Sequence, residues 1–265
     1  MIITLNALLL AAGPGIRLKP LTNHWPKCLM PIGGIPLLEH WLCLLHQNAI
    51  NNVTVNMHHH HREVSDFLER PIFLSWVTPT YEEKILGTAG TIVHNYDAFC
   101  GQPMLLAHAD NWIQCDLHEF IEFHRDRRPK NTWMTMMTFR TSNPSSCGIV
   151  QLDAQGVVQN FWEKTSQPHG NLANGAVYLL EPELLEWMLI QDGLTDFSRD
   201  VIPALIGKIA TWENMGIHRD IGTSMALLAA QNDPDPEQCW SDIDEWKINF
   251  SSHHIHKLIR SISSD

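Results

Sequence analysis

The chain has 265 residues, of which 44% are hydrophobic and 18% are charged, a composition typical of a globular protein with a sizeable core. Its formal net charge of −11 at pH 7 argues against a general nucleic-acid-binding protein, because such proteins need a basic face. No apolar run approaches the roughly 18 residues that cross a membrane, so we expect neither nucleic acid nor membrane as a partner.

The cysteines are scattered along the chain and form no C-x-x-C pair. This pattern predicts neither a disulfide framework nor a structural zinc site, and it favours a reducing, cytoplasmic setting. The six positions are Cys28, Cys43, Cys100, Cys115, Cys147 and Cys239.

The first half of the chain alternates apolar runs with segments of helical periodicity. The opening MIITLNALLLAAG looks like a signal peptide, but it lacks a basic start and runs directly into a glycine loop, so we interpret it as the first strand. Strands are predicted at NALLLAAG, NNVTVNMH, IFLSWVTP and PMLLAHAD, and helices at PLLEHWLCLLHQNAI, HREVSDFLERP, GTAGTIVHNYDAF and LHEFIEFHRDR. This alternation indicates an α/β fold with a mainly parallel, doubly wound sheet.

The second half of the chain is richer in predicted strands. These are NTWMTMMTFRT, CGIVQLDAQGVVQNFWEK and NGAVYLLEP, with turns at Asp153–Gly156 and near Pro168–Gly170. DFSRDVIPALI is a predicted helix that begins near Asp196 or Ser198.

A change in composition follows residue 230. NDPDPEQ is typical of a linker, and the polar segment after it is rich in Ser and His. We therefore expect one main domain over residues 1–230 and a partly helical tail over residues 231–265.

A loop rich in glycine and proline follows the first predicted strand. Gly13 and Gly15 come directly after the apolar run, and the exposed N–H groups of such a turn can bind an anion. The loop is not a dinucleotide-binding G-x-G-x-x-G turn, because Leu18 stands at the third glycine position, and it contains no Walker A motif. It carries two separated cations, Arg17 and Lys27, among prolines that restrict the backbone.

The string from Leu10 to Glu39 resembles the signature of the sugar-phosphate nucleotidyltransferases, L-A-A-G-x-G-x-R-L-x-P-L-T-x-x-x-P-K-x-L-x-P-I-x-G-x-P-L-L-E, at nearly every fixed position. The resemblance implies a Rossmann-like nucleotidyltransferase fold, a mixed and mainly parallel sheet flanked by helices, as the catalytic domain. It also implies that the loop wraps a nucleoside triphosphate. The implied nucleotide-binding residues are Leu10, Ala11, Ala12, Gly13, Gly15, Arg17 and Lys27.

The resemblance continues to about residue 225. EEKILGTAG resembles the family's segment beside the base, and LLAHAD and HRDIGT resemble its two metal-binding segments. Ala109 stands where the family more often has Gly, and His218 where it has an aromatic residue. The resemblance implies that Glu82, Gly87, Thr88 and Ala89 contact the nucleotide and that Asp110 and Asp220 hold Mg²⁺.

Two further segments, CGIVQLD…FWEK and NGAVYLL, resemble the blocks that form the family's sugar site. The sugar-phosphate-binding residues implied by this match are Gly148, Glu163, Lys164, Asn174 and Gly175.

The reaction implied by the resemblance converts a nucleoside triphosphate and a sugar 1-phosphate into a nucleoside-diphosphate sugar and pyrophosphate, with Arg17, Lys27 and Asp110 as catalytic residues. Relatives that use thymidine or uridine triphosphate commonly have Gln five residues before the glycine at position 87, where this chain has Glu82. A carboxylate accepts both N1–H and the N2 amino group of guanine, which favours GTP with a mannose- or heptose-type sugar phosphate. In the alternative interpretation Glu82 is a solvated loop residue, and Glu83 or backbone groups read the base.

Other functions remain open at this point. One alternative is a thymidylyl-, uridylyl- or cytidylyltransferase, including one that acts on phosphocholine, and another is a non-catalytic nucleotide-sugar sensor. Joint retention of Asp110 and Asp220 argues against the sensor, which needs no metal ligands. The tail lacks hexapeptide repeats, so no β-helical domain is expected, and a homo-oligomer is left open.

The run His58–His61 is a candidate metal site by composition alone. Four consecutive side chains cannot all face one ion, on a strand or on a helix. We therefore interpret the run as polar surface at the start of a helix.

Overall fold

The structure is a computed structural model that describes residues 5–99, 101–167, 169–241 and 243–262. These residues form two compact units. The first unit comprises the residues up to Leu8 together with Leu86–Ala107 and Gln114–His218, and the second comprises Leu9–Ile85, His108–Ile113 and the residues from Arg219 onward. The division at residue 230 stays a prediction.

Strands and helices alternate through the first half of the chain, as predicted. The strands are β1 (Asn6–Leu10), β2 (Pro31–Ile32), β3 (Ile35–Pro36), β4 (Val53–Met57), β5 (Val77–Tyr81), β6 (Met104–His108), β7 (Asn111–Gln114), β8 (Met134–Arg140), β9 (Gly148–Leu152), β10 (Val158–Glu163), β11 (Leu172–Leu180), β12 (Ile209–Glu213) and β13 (Ile217–Asp220). The helices are α1 (Leu37–Gln47), α2 (His61–Leu68), α3 (Gly87–His94), α4 (Leu117–Glu122), α5 (Pro182–Leu189), α6 (Ser224–Ala230), α7 (Glu245–Ser251) and α8 (Ile255–Ile262).

The central sheet is mixed, and its strand order is β10-β9-β11-β6-β1-β4-β5, with β8 and β12 off this path. In the first unit β11 pairs antiparallel with β6, β8 and β9, whereas β12 runs parallel to β8. In the second unit β4 runs parallel to β5. The α/β fold and mixed sheet are thus confirmed. None of the helices in the described residues has the length and apolar character that a membrane span requires.

The core of the second unit explains why β4 and α1 form where they do. All five residues of β4 are buried although Thr54 and Asn56 are polar, so the strand is covered on both faces and its polar side chains need hydrogen-bond partners. Helix α1 begins directly after Pro36 and buries Leu38, Trp41, Leu42 and Leu45. These positions recur at the three- and four-residue spacing of one helix face.

The strand predicted at IFLSWVTP is partly wrong, because β5 begins only at Val77. The preceding residues form turns in which Phe73 N–H donates to the Arg70 carbonyl at 2.9 Å and Val77 N–H donates to the Phe73 carbonyl at 2.9 Å. Phe73 is fully buried, with its ring 5.1 Å from that of Phe67. The apolar residues here reflect burial of a turn, which hydrophobicity alone does not distinguish from a strand.

Predicted turns and helix starts in the first unit agree with the structure. The Asp153 carboxylate accepts from the N–H groups of Gln155 and Val157, at 2.8 and 3.0 Å. Asp196, rather than Ser198, caps the following helical segment by accepting from Arg199 N–H at 3.0 Å. Pro168, in the other predicted turn, lies outside the described residues.

One cysteine prediction needs correction. Cys43, on α1, and Cys239, in the C-terminal segment, are joined by a disulfide. No spacing signal could show this pair, because 196 positions separate the two residues. Cys28, Cys115 and Cys147 are free, and Cys100 lies outside the described residues.

The C-terminal segment is partly helical, as predicted, and it packs within the second unit. Trp246 and Phe250 of α7 have stacked rings, and Phe250 stacks on Trp25 of the glycine-rich loop. The ring of His253 lies 4.1 Å from that of Trp25. The segment therefore supports the loop directly.

A buried arginine joins the C-terminal segment to the rest of the second unit. Arg70 is 2% exposed. Its guanidinium donates to Glu39 at 2.5 Å and to Asp244 at 2.7 Å, and it lies over the rings of Phe67, Phe73 and Trp246. Asp244 also caps α7, accepting from the N–H of Lys247. Burying a cation is costly unless carboxylates compensate it.

Asp244→Ala should therefore lower the free energy of unfolding by about 3 kcal/mol, because it removes a helix cap and one partner of a buried charge. Urea unfolding measures this change. The matched control is Asp192→Ala at an exposed position of the first unit, expected to change the value by less than about 0.5 kcal/mol. Equal effects of the two substitutions would contradict the role given to Asp244.

Candidate active site

The glycine-rich loop leaves β1 and turns sharply at Gly15. Gly15 has a φ of 60°, and a Cβ there would lie 2.7 Å from Cγ2 of Thr22. Thr22 Oγ1 donates to the Gly15 carbonyl at 2.9 Å, which closes the turn. At Gly13, by contrast, a Cβ would meet no protein atom within 4 Å. The backbone there faces open space, as an anion-binding turn requires.

Four charged residues of the second unit meet beside this loop. The Lys27 ammonium donates to Asp110 Oδ2 and to Asp220 Oδ1, both at 2.7 Å. Arg17 Nη2 donates to the other oxygen of Asp220 at 2.7 Å. The three contacting pairs are separated by 83, 193 and 203 positions in the sequence. The sequence analysis had named all four residues as candidates.

These contacts shift two ionisation equilibria. Burial acts to lower the pKa of the Lys27 ammonium, but the carboxylates of Asp110 and Asp220 outweigh burial and raise that pKa above its ordinary value. Burial acts to raise the pKa of Asp220, but Lys27 and Arg17 bring that pKa down to about 2. Lys27 is therefore a permanent cation and Asp220 a permanent anion at neutral pH.

A glycine makes room for this cluster. Were Gly222 to carry a Cβ, that atom would lie 2.6 Å from Arg17 Nη2 and 3.0 Å from Asp220 Oδ1. The glycine of the segment HRDIGT thus allows Arg17 to approach Asp220 closely.

The donor set around Lys27 fits a hard divalent cation. Asp110 and Asp220 offer carboxylate oxygens, and their side chains are 29% and 46% exposed. In the part of the chain that the structure describes, no group of three or more His, Cys, Asp and Glu side chains could hold a metal ion. Two carboxylates completed by phosphate oxygens and water are a set that Mg²⁺ commonly uses.

Glu82, at the end of β5, is 3% exposed, so the interpretation of this residue as a solvated loop residue is wrong. Its carboxylate accepts from Asn56 Nδ2 at 2.9 Å. Asn56 in turn accepts from the N–H of Ala11, in the loop, at 2.7 Å. Sequence reasoning missed Asn56. Its position at the end of the strand paired with β5 was the available signal, because side chains at the ends of neighbouring parallel strands lie close together.

The histidine run lies beside these residues and starts α2 at His61, as predicted. All four side chains are half-buried rather than fully exposed. His58 Nδ1 contacts the Glu82 carbonyl at 2.8 Å and His60 Nε2 contacts the Thr22 carbonyl at 3.0 Å. The interpretation as plain polar surface is therefore incomplete, since these side chains hold other segments.

In the first unit, Gly87, Thr88 and Ala89 open α3 and are tied to one neighbouring segment. Thr88 Oγ1 accepts from Phe197 N–H at 2.7 Å, and Ala89 N–H donates to the Thr195 carbonyl at 2.9 Å. A Cβ on Gly87, which has a φ of 77°, would lie 2.3 Å from that carbonyl. Only glycine fits this position.

Two of the residues matched to the sugar site face each other across β9 and β10. Gly148 pairs with Glu163, and a Cβ at position 148 would lie 2.8 Å from Glu163 Oε2. Lys164 follows with a φ of 46°. Its ammonium lies 3.5 Å from Glu163 Oε1, and its side chain is 62% exposed. Lys164 is thus an accessible cation beside a carboxylate.

The other two residues lie on β11, where the register with β8 shifts between Asn174 and Tyr178. Asn174 donates to the Tyr178 hydroxyl at 2.8 Å and accepts from Ala176 N–H at 2.9 Å. His218 Nε2 lies 2.7 Å from the Gly175 carbonyl, and its ring stacks on Phe139. His218 therefore supplies a flat ring where the family has an aromatic residue, together with a hydrogen bond to the backbone.

Comparison with known proteins identifies the family to which this fold belongs. Residues 6–236 match the family model described as nucleotidyl transferase, and the chain belongs to this family.

Several relatives are named for sugar nucleotides. A mannose-1-phosphate guanylyltransferase of Mycobacterium tuberculosis is 28% identical over 226 residues, covering 82% of this chain and 61% of the relative. A UTP–glucose-1-phosphate uridylyltransferase of Synechocystis is 29% identical over 217 residues, covering 76% of this chain and 55% of the relative. The chain spans about three fifths of the length of the curated relatives it matches.

Solved structures confirm the fold. A Bacillus anthracis protein assigned as a glucose-1-phosphate thymidylyltransferase, in complex with sucrose, matches with a TM-score of 0.78 and 21% identity, covering 88% of this chain and 98% of the other. HddC from Yersinia pseudotuberculosis, complexed with GMP-PN, matches with a TM-score of 0.71 and 20% identity, covering 85% and 97% of the two chains.

The pKa of Asp220 predicts how stability depends on acid. Because this pKa is depressed in the folded state, Asp220 stabilises the fold above its unfolded value of about 3.9, and this contribution is lost as pH falls through about 2. Asp220→Asn should reduce the loss of unfolding free energy between pH 6 and pH 2.5 by about 1 kcal/mol, a value discounted for solvent exposure.

Urea unfolding in EDTA at the two pH values measures this difference. Asp192→Asn, at an exposed position, should retain the wild-type pH dependence. An unchanged pH dependence in Asp220→Asn would contradict the stabilising contacts assigned to this carboxylate.

Proposed function

We propose that this chain is a sugar-1-phosphate nucleotidyltransferase, which makes a nucleoside-diphosphate sugar and pyrophosphate from a nucleoside triphosphate and a sugar 1-phosphate. The observation that carries the proposal is the position of Lys27 between Asp110 and Asp220, with Arg17 on the second carboxylate. The family membership and the names of several relatives support it.

The reaction joins two polyanions, so cancelling their repulsion is the main task of the site. An oxygen of the sugar phosphate attacks the α-phosphorus, and the bond from that phosphorus to the β-phosphate oxygen breaks as pyrophosphate leaves. No protein nucleophile is required. Arg17, which is largely exposed, would bind the departing pyrophosphate, and Lys27 would hold the phosphates from the opposite side of the cluster.

Asp110 and Asp220 would hold Mg²⁺, which supplies positive charge to the reacting phosphate. The contacts of Lys27 with both carboxylates keep them oriented toward one point. Loop residues from Leu10 to Gly15 would line the triphosphate site, and Gly13, where a Cβ would meet no atom within 4 Å, leaves room for a phosphate group. The match to the family also predicts nucleotide contacts for Gly87, Thr88 and Ala89.

The match to the family also predicts which residues would bind the sugar phosphate. Lys164 is the accessible cation for its phosphate, and Glu163 would accept from sugar hydroxyls. Gly148, Asn174 and Gly175 would shape the pocket through the close approaches described above.

Asp110→Asn should reduce turnover on the order of 10²-fold or more, because it removes a preorganised charge from the reacting centre. The assay measures pyrophosphate release from each of four nucleoside triphosphates with a panel of sugar 1-phosphates. EDTA should abolish the wild-type activity. Full activity in EDTA or in Asp110→Asn would contradict the assignment, and absence of pyrophosphate release from every pair would refute the proposed reaction.

Lys164→Ala should weaken binding of the sugar 1-phosphate about 10- to 150-fold, since a charge-assisted hydrogen bond is worth about 1.5–3 kcal/mol. Binding of the nucleoside triphosphate should be unchanged. Separate titrations with the two substrates measure both effects, and Lys130→Ala, at an exposed position of the same unit, is the control. Equal losses for both substrates would remove Lys164 from the sugar-phosphate site.

We further propose GTP and a mannose- or heptose-type 1-phosphate as the substrates, read through Glu82. The support is the match of Glu82 to the family's base-site segment, together with the chemistry of a carboxylate, whose oxygens act as acceptors and suit the two adjacent donors of guanine. GTP should be preferred over UTP and dTTP by about 10- to 100-fold, the scale of one or two base-edge hydrogen bonds.

Glu82→Gln should reduce this preference to a few-fold at most, because an amide donor then faces a guanine donor. Competition between GTP and dTTP in the pyrophosphate assay measures it. A wild-type preference for UTP, dTTP or CTP would overturn the guanine assignment. An unaltered GTP preference in Glu82→Gln would leave Glu82 only as a partner of Asn56.

A further inference from the structure

Three side chains at and just after the end of β4, those of Asn56, His58 and His60, make hydrogen bonds to other segments of the second unit. Their partners are Ala11, Thr22 and Glu82. Asn56 and His58 share one face of the extended chain, because the side-chain period of a strand is two. The chain turns at His60, where φ is 53°, and α2 begins at the next residue.

Asn56 connects the glycine-rich loop to Glu82, the residue matched to base recognition. It is 2% exposed. The N–H of Ala11 can only donate, so the atom 2.7 Å away must be the Asn56 oxygen. The Asn56 amide nitrogen is therefore the atom that donates to Glu82 at 2.9 Å. This bond requires an acceptor at Glu82, which its carboxylate provides.

His58 fixes the backbone of the same glutamate. The carbonyl of Glu82 can only accept, so His58 donates through Nδ1–H over 2.8 Å. The N–H of Glu82 donates to the Met57 carbonyl at 2.9 Å. Both backbone groups and the side chain of Glu82 are thus bonded to three consecutive residues of the β4 end, Asn56, Met57 and His58.

His60 contacts a later part of the glycine-rich loop, at Thr22. Its Nε2–H donates to the Thr22 carbonyl at 3.0 Å, and the Thr22 hydroxyl donates to the Gly15 carbonyl at 2.9 Å. The left-handed turn at position 15 is therefore connected to the β4 end through one intermediate residue. The ring nitrogens that His58 and His60 use for these bonds carry hydrogen and cannot bind a metal ion.

We propose that Asn56, His58 and His60 are positioning residues that set the triphosphate loop and the base-reading glutamate in one mutual geometry. This inference rests on the proposed function, because it gives the loop a triphosphate to hold. The consequence is that displacing Glu82 moves Ala11, so base choice and phosphate binding are coupled through one amide.

A donor–acceptor swap tests the link at Asn56. Asn56→Asp keeps the acceptor for Ala11 but places a second carboxylate against Glu82, so it should disturb both neighbours. Asn56→Asp with Glu82→Gln restores the bond with its direction reversed, since the glutamine amide now donates to the aspartate. Glu82→Gln alone retains an acceptor for Asn56 and is the matched control.

The probe is inorganic tripolyphosphate with Mg²⁺, which carries no base and therefore reports on the phosphate loop alone. Isothermal titration should show binding at least about 10-fold weaker in Asn56→Asp, the scale of one buried hydrogen bond. Glu82→Gln and the double variant should bind within about 3-fold of wild type. The double variant should still lack the GTP preference, because it has lost the glutamate.

Two results would overturn the inference, namely wild-type binding in Asn56→Asp and a double variant as weak as Asn56→Asp. A double variant that keeps the wild-type GTP preference would instead refute base recognition by Glu82. Wild-type protein that binds no tripolyphosphate would instead refute the triphosphate site itself, which distinguishes failure of the proposed function from failure of the link.

The histidines provide a second test that does not depend on folding of the buried aspartate variant. His58→Asn and His60→Gln each keep an amide donor near the position of the ring nitrogen in use, whereas His58→Leu and His60→Leu remove it. The leucine variants should weaken tripolyphosphate binding about 5-fold or more, and the amide variants less than 2-fold. Equal binding by the leucine and amide variants would contradict the positioning role.

Discussion

The structure depends on the contact of the Lys27 ammonium with two carboxylates. The Lys27 side chain is only 6% exposed, and removing a charge from water is costly unless opposite charges surround it. Asp110 and Asp220 supply that compensation, each at 2.7 Å. The contact therefore fixes Lys27, in the glycine-rich loop, relative to Asp110, which follows β6, and to Asp220, the last residue of β13. The proposed site for phosphates and a divalent cation depends on this one arrangement.

Much of this site could be predicted because its residues belong to a long contiguous string. Gly15, Arg17 and Lys27 lie within 13 residues, and the structure gives each a physical task. Asp110 and Asp220 were paired only through the segments around them, since a separation of 110 positions carries no signal of contact. The alternation of strands and helices was predictable for a related reason, because periodicity is local. Roles in binding stay predictions, since geometry alone does not show a ligand.

What the sequence could not show consists of single polar residues and long-range partners. Asn56 lies at the end of a strand paired with β5, which places it near Glu82, but its own neighbours in the sequence do not show that its amide bonds to Ala11 and Glu82. The disulfide joins residues with no motif around them. The apolar residues before β5 were assigned to a strand because hydrophobicity reports burial and not backbone shape. The burial of Arg70 could not be predicted either, since its aromatic and acidic neighbours include residues from distant parts of the chain.

The division of the chain into two units also determines which unit can be completed first during synthesis. The second unit begins at Leu9, but its last segment begins only at Arg219. While a ribosome extends the chain, Lys27 and Asp110 emerge long before Asp220, and Arg70 waits still longer for Asp244. The first unit, whose last residue is His218, is complete by then. During synthesis the first unit can therefore be complete while Lys27 and Arg70 of the second unit each still lack one carboxylate partner, and the residues from Arg219 onward supply these partners.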